Sequence, residues 1–242
     1  MSGKILIYGG SGGIGSATAR RLHDRGYGLH LVGRDPARLA AVAEPLGASF
    51  TAGDVTDPGC FATVAREAGD SLSGLVYAVG TLRLRSLQRL DEADFLHDYR
   101  LNAMGAALAV KASLPALKKS NDGASVVLFS SAATLQGFSL HASLGMAKGA
   151  VNGLTLALAA ELAPRVRVNA IAPSITRTSL SDPLLPNEQR AAAISSAHAL
   201  KRLGEAEDSA ALAAFLVSSE AGWITGQIIG VDGGRSSLRV KD

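Results

Sequence analysis

The run Tyr8-Gly9-Gly10-Ser11-Gly12-Gly13-Ile14-Gly15 constrains this chain more than any other segment, because five of its eight residues are glycine. It follows the short apolar run Lys4-Ile5-Leu6-Ile7-Tyr8 and leads into Ala17-Thr18-Ala19-Arg20-Arg21-Leu22. Strand, glycine turn and helix are therefore expected in that order. Residues without a Cβ let the backbone turn tightly and approach a pyrophosphate. The helix N-terminus then offers unpaired N–H groups and the positive end of its dipole to that anion. The spacing Gly10-x-Gly12-x-x-Gly15 meets the general dinucleotide pattern.

The same rhythm repeats along the chain. Gly28–Gly33, Ser49–Ala52, Leu75–Val79, Ser125–Phe129, Arg167–Ile171 and Gln227–Val231 read as further strands, which makes about seven. Their continuous leucine and β-branched content argues burial on both faces, hence a parallel sheet under helices. The expectation is an α/β chain: a single Rossmann-type doubly wound domain over 1–242, with ligands at the carboxyl ends of the strands. The stretch 178–203 carries Pro183 and Pro186 and breaks the rhythm, so it reads as a substrate lid over that edge. The polar tail Ser236–Asp242 reads as loosely held.

A chain of 242 residues fits one such domain. The single cysteine, Cys60, leaves no internal disulfide and suits a reducing, cytoplasmic setting as a buried or incidental thiol. No apolar run reaches the ~20 residues of a membrane span, and Met1-Ser2-Gly3-Lys4-Ile5 runs straight into a strand without a charged-then-apolar leader. Net charge is +3 with arginines scattered, which suits an anionic cofactor rather than a nucleic-acid footprint. No Cys/His cluster has metal-ligand spacing, so no metal is assigned.

Gly9-x-x-x-Gly13-Ile14-Gly15, Ser130-Ser131, Leu144-Gly145-Met146-Ala147-Lys148 and the closing Trp223–Gly234 segment together resemble the short-chain dehydrogenase/reductase family, across essentially the whole chain. The resemblance implies a nicotinamide cofactor held by Gly9, Ser11, Gly13, Ile14 and Gly15. It implies adenine contacts from Asp54 and Val55 and a backbone contact at Gly80. Pro173, Ile175 and Thr178 would hold the carboxamide. Arg34, directly after the second strand, favours NADP with its 2′-phosphate over NAD. Asp35 contests this one step later, but it also serves as an N-cap before Pro36. The resemblance further implies a homotetramer or dimer joined through the helices that carry Asn102 and Lys148.

In the family a serine polarises the substrate carbonyl and a tyrosine exchanges a proton with its oxygen. A lysine lowers that tyrosine's pKa and binds the nicotinamide ribose, and an asparagine holds a relay water. Ser131 and Lys148 match by spacing and Asn102 matches the family's helix asparagine, but Leu144 stands where the tyrosine belongs and has no proton to give. Leu144 and Lys148 share a helix face at i, i+4. His141 lies near the same stripe, and histidine as a residue type suits a general acid at neutral pH, so His141 is nominated as the substitute acid, with water as the alternative. Tyr77 and Tyr99 are less well placed, and Ser143 reads as a helix N-cap or a substrate contact. Arg83 and Arg85 would suit an acidic substrate, although surface arginines explain them equally well. The expected activity is an NADP-dependent oxidoreductase acting on a small carbonyl or hydroxyl compound. Two other readings stand beside it: an NADP-binding sensor or scaffold that has lost catalysis, and a dehydratase or isomerase on the same fold.

Overall fold

Strand and helix alternate along residues 2–239, the part of the chain that the computed structural model describes. The elements are β1 (Ser2–Tyr8), α1 (Gly13–Asp24), β2 (Tyr27–Gly33), α2 (Pro36–Ala43), β3 (Ser49–Ala52), α3 (Pro58–Ala68), β4 (Gly74–Tyr77), α4 (Glu92–Tyr99) and α5 (Gly105–Lys118). They continue with β5 (Ala124–Phe129), α6 (Ala142–Leu162), β6 (Val166–Pro173), β7 (Thr176–Arg177), α7 (Glu188–Ser196), β8 (Gly204–Glu205), α8 (Ala206–Val217) and β9 (Ile228–Val231). Among the described residues one seven-stranded sheet runs in the order β3-β2-β1-β4-β5-β6-β9, with every pairing parallel.

Side chains alternate across a strand, and that alternation builds the three layers. From β1, Leu6 and Tyr8 face Phe61 and Val64 of α3, Ala106 of α5 and Val151 of α6. Ile5 and Ile7 face Leu22 of α1, Leu39 of α2 and Leu216 of α8. The expected doubly wound sheet is thus present, and its order reverses between β1 and β4. A crevice opens at such a reversal, outside the carboxyl ends of the strands.

Two features at that edge differ from expectation. The fourth strand ends at Tyr77 rather than Val79, because Ala78 and Val79 leave the sheet to wrap the glycine turn. The Ala78 carbonyl lies 2.7 Å from where a Cβ on Gly9 would stand, and Gly9 has a φ of +76° that glycine adopts readily. A second, two-stranded sheet also forms, in which β7 pairs in parallel with β8. It pins the two ends of the 178–203 stretch together, and α7 lies inside that stretch.

The tail departs from expectation over its first part. Ser236 donates from both its amide and its hydroxyl to the Asp232 carboxylate, and the Leu238 amide donates to Gly234 at 3.0 Å. Residues 240–242 of that expected loose tail lie outside the described residues. No helix among those described is long and apolar enough to cross a membrane, and no cluster of three or more His, Cys, Asp or Glu is gathered there to hold a metal. Cys60 is buried.

Candidate active site

The glycine turn is positioned by two amides and fitted by three close approaches. Gly9 and Gly10 both donate to the Val32 carbonyl, at 2.8 and 3.0 Å, which ties the turn to β2. A Cβ on Gly15 would stand 2.1 Å from the Gly9 carbonyl oxygen, so only glycine lets α1 start there. A Cβ on Gly13 would stand 2.4 Å from Thr178 Cγ2, which brings the start of the 178–203 stretch directly onto the turn. Gly12, the N-cap of α1, has no side chain to cap the first turn. The amides of that turn are therefore left for an anion. Ser11 Oγ lies 3.0 Å from the Cβ position of Gly33, at the end of β2.

Arg34 follows and is exposed. The Asp35 carboxylate accepts from Ala37 and Arg38 amides at 3.0 and 3.1 Å as the N-cap of α2, so it is occupied by the backbone. Asp54 accepts from the Thr56 amide and hydroxyl, both at 2.8 Å. The amide bond, with help from the hydroxyl and from Arg34, holds its carboxyl below the usual range despite partial desolvation. Val55 packs partly buried beside it.

Deeper in the crevice the sequence-nominated polar groups converge. A π-helical turn, Arg100–Met104, joins α4 to α5 and points Asn102 inward. Its Nδ2 donates to Thr81 Oγ1 and to the Asp98 carbonyl, while its Oδ1 is buried without a partner. Lys148 of α6 donates from Nζ to the Phe129 carbonyl at 2.8 Å and is 6 % exposed. Burial pushes its ammonium down to about 8, with the Asp98 carboxylate acting in the opposite direction. A Cβ on Gly80 would stand 3.2 Å from both Asn102 Oδ1 and Lys148 Nζ, so the gap between them depends on that glycine. The buried ammonium supplies a donor for a ribose diol, and the unpartnered oxygen supplies an acceptor for a water beside it. Together with the uncapped turn of α1, they fit a nicotinamide dinucleotide.

Gly80 and Lys148 line one cavity of about 430 Å³, and Asn102 Oδ1 reaches that wall through Gly80. Ser131 is on its wall. Its Oγ accepts from the Ala133 amide at 3.1 Å, and the hydroxyl hydrogen finds no acceptor among the described residues. Leu144 is also on the wall and 2 % exposed, on the same face of α6 as Lys148. Gly80, Pro173, Ile175 and Thr178 complete the carboxyl-edge rim.

Several nominated groups do something else. His141 is the residue before α6 and lines the cavity, but its Nδ1 is 2.7 Å from the Ser139 carbonyl of its own loop and its ring packs on Phe138. Ser143 is no N-cap. It is buried, and its hydroxyl donates to Asp98 Oδ2 at 2.6 Å, because the helix has already begun at Ala142. Tyr77 donates to the Leu101 carbonyl at 2.8 Å, and burial raises its phenol well above the usual range. Tyr99 lies at the exposed end of α4. Arg83 and Arg85 converge on Asp94, Arg85 at 3.2 Å, and so brace the loop after β4.

The sequence reading missed His198. It is buried in the 178–203 stretch at the same cavity, hydrogen-bonded to Ser174. Ser174 in a place where the family carries glycine is the trace of it in the sequence.

Comparisons with known proteins agree with this geometry. A family model described as enoyl-(acyl carrier protein) reductase matches residues 9–236. The chain is 36% identical over 235 residues to a galactitol 2-dehydrogenase (L-tagatose-forming) of Cereibacter sphaeroides, covering 94% of this chain and 92% of that protein. It is 34% identical over 243 residues to a 3-oxoacyl-(acyl-carrier-protein) reductase of Bos taurus, covering 97% and 98%. A short-chain type dehydrogenase/reductase from Mycobacterium ulcerans superposes with a TM-score of 0.91 at 29% identity, over 100% of this chain and 94% of that one. A structure of ElxO with NADP bound superposes at 0.90 with 29% identity, over 98% and 100%.

Proposed function

The chain belongs to the short-chain dehydrogenase/reductase family, and on that premise we propose that it is an NADP-dependent oxidoreductase acting on a carbonyl or hydroxyl substrate without the usual phenol. The observation that carries this is that Ser131 and Lys148 line one cavity, with Asn102 Oδ1 close to Lys148 across Gly80 of the same wall, and with Leu144 where the tyrosine would stand. A protein that only bound the nucleotide would need the ribose contact but not the hydroxyl of Ser131.

Gly9, Ser11, Gly13, Ile14 and Gly15 hold the pyrophosphate, Arg34 and Ser11 face the 2′-phosphate, and Asp54 and Val55 flank the adenine. Gly80, Pro173, Ile175 and Thr178 seat the nicotinamide end. Bound there, the cofactor supplies or accepts a hydride. NADP is preferred because Arg34 is exposed beside Ser11 while Asp35, the competing carboxylate, caps α2. That a structural neighbour at 29% identity holds NADP supports the same choice. Ser131 donates its hydroxyl hydrogen to the substrate oxygen, Lys148 binds the ribose, and Asn102 Oδ1 holds a water beside it. The proton that the phenol would give comes from another group at the cavity; His141, half-buried on its wall, is the candidate that the helix stripe nominates, with water as the alternative.

The loss of the phenol favours one rival, a sensor that binds NADP and turns nothing over. Fluorescence titration with NADPH and NADH, followed by a panel of carbonyl compounds in the same cuvette, separates the two. Tight NADPH binding with cofactor oxidation supports the reductase. Tight binding with no turnover by any carbonyl supports the sensor.

The reading includes a cytoplasmic setting and association with a second copy of the chain. Leu96 and Tyr99 of α4, Met104, and Met146 and Leu156 of α6 leave apolar side chains exposed, and a second copy would cover them. Light scattering on the purified protein should return a dimer or tetramer mass.

A further inference from the structure

One wall of the cavity carries a hydrogen-bonded pair that the reductase reading leaves unused. His198 is 2 % exposed. Its Nδ1 lies 2.9 Å from the Ile194 carbonyl, one turn earlier at the end of α7. A carbonyl can only accept, so Nδ1 carries the proton and Nε2 has a lone pair. Nε2 lies 2.8 Å from Ser174 Oγ, whose hydroxyl therefore donates to it. Ser174 directly follows β6 at the carboxyl edge of the sheet. Both residues line the cavity that also contains Ser131, Leu144 and Lys148.

The imidazole is packed as well as bonded. Gly233, with a φ of +58°, brings the chain after β9 against it, so that a Cβ there would stand 3.5 Å from His198 Cβ. The neighbouring Asp232 is the carboxylate that faces it. Burial opposes ionisation of Asp232, yet bonds from Ser236 and Gly234 and the charge of His198 hold its carboxyl below the usual range. The other charged groups near His198 are Arg190 and Arg235 on the cavity wall and Lys201, whose ammonium donates to the Ser196 carbonyl. His141 lacks comparable construction: its fixed nitrogen faces its own loop, and no hydroxyl passes its proton onward.

We propose that Ser174 and His198 form a proton relay that serves the substrate oxygen from the lid side of the cavity, in place of the absent phenol; the inference rests on the reductase reading above. In the donating state His198 is protonated at both nitrogens. Nε2–H then donates to Ser174 Oγ and turns the serine hydroxyl hydrogen toward the cavity. As the carbonyl carbon takes a hydride from a reduced nicotinamide, the carbonyl oxygen takes the Ser174 proton and Ser174 Oγ takes the proton from Nε2. The carbonyl becomes an alcohol, the nicotinamide is oxidised, and His198 is left neutral in the hydrogen bonding described above. It regains its proton from water. In the oxidative direction the neutral pair accepts the proton of the alcohol.

The test compares wild type, Ser174→Ala, His198→Gln and His141→Ala for NADPH affinity, pH–rate profile and imidazole nitrogen NMR. Ser174→Ala should lower kcat about 100-fold, the lower end of what a positioned general acid contributes. Its NADPH affinity and melting temperature should stay near wild type. His198→Gln should lower kcat to a similar extent and change the shape of the pH–rate profile for reduction, which a purely packing role would not. In Ser174→Ala the His198 Nε2 resonance should move, which reads the pair without turnover and keeps the proposal testable if His198→Gln folds poorly. Wild-type rates and profiles in both relay variants would overturn the relay and leave the reductase standing. A loss of turnover in His141→Ala with wild-type turnover in His198→Gln would also overturn it. If wild type and Leu144→Tyr both bind NADPH and reduce no carbonyl, the reductase reading itself fails and the relay falls with it.

Discussion

The nucleotide side of the crevice is made of backbone, whereas the reaction side is made of side chains drawn from distant parts of the chain. On the first, Gly9, Gly13 and Gly15 create surface by lacking a Cβ, and the amides of α1 supply the binding groups. On the second, Asn102 comes from a π-helical turn, Lys148 from α6, Ser174 from the end of β6 and His198 from the lid. A backbone-built surface tolerates changes in its neighbours as long as the glycines stay. A side-chain-built surface can lose one member, as at Leu144, while the binding half stays complete. Binding and chemistry can therefore part company on this fold.

The largest expected effect lies on the backbone side. Gly15→Val would place a Cβ 2.1 Å from the Gly9 carbonyl oxygen. It should lower NADPH affinity at least about 100-fold and destabilise the free protein by about 1–3 kcal/mol, the range for overpacking. Fluorescence titration and a thermal melt read the two effects. Affinity retained within tenfold would mean that the pyrophosphate does not sit on this turn.

Next comes Leu144→Tyr, which restores a phenol on the Lys148 face of α6. Steady-state kinetics should show kcat raised at least about tenfold, part of the usual general-acid contribution, with NADPH affinity little changed. A fall in kcat would show that the leucine fits a rearranged pocket rather than marking a gap.

Arg34→Ala should weaken NADPH about tenfold, the size of one charge-assisted phosphate contact of about 1.4 kcal/mol. NADH binding should barely move. Equal loss for both cofactors would remove the basis for the NADP preference.

The smallest effect concerns pH. Burial lowers the Lys148 ammonium to about 8, so the charge is present below that pH and lost as pH rises through it. NADPH affinity measured by calorimetry should fall a few-fold between about pH 7 and 9, and Lys148→Met should show a weaker, flat dependence. An unchanged slope in that variant would assign the titration to another group.

The same contrast explains what the sequence made legible. β3 was read as Ser49–Ala52 and observed there, and the sheet followed from apolar runs buried on both faces. The glycine turn was readable because its requirement is local: a missing Cβ every few residues. The reaction side was readable where a family motif carried it, as for Asn102, Ser131, Leu144 and Lys148. Ser174 and His198 lie 24 residues apart, joined across a lid whose two ends are tied by β7 and β8, and no periodicity relates them. Ser143 was misread for a similar reason, since its partner Asp98 lies 45 residues earlier. The sequence left Arg83 and Arg85 open between a substrate contact and surface charge; both pair with Asp94, buried on α4.

The most direct test of the central claim is to follow NADPH absorbance while the purified wild-type chain meets a panel of carbonyl compounds. The account predicts oxidation of NADPH by at least one of them, in preference to NADH, with leucine still at position 144. Saturable NADPH binding with no oxidation by any carbonyl would contradict it.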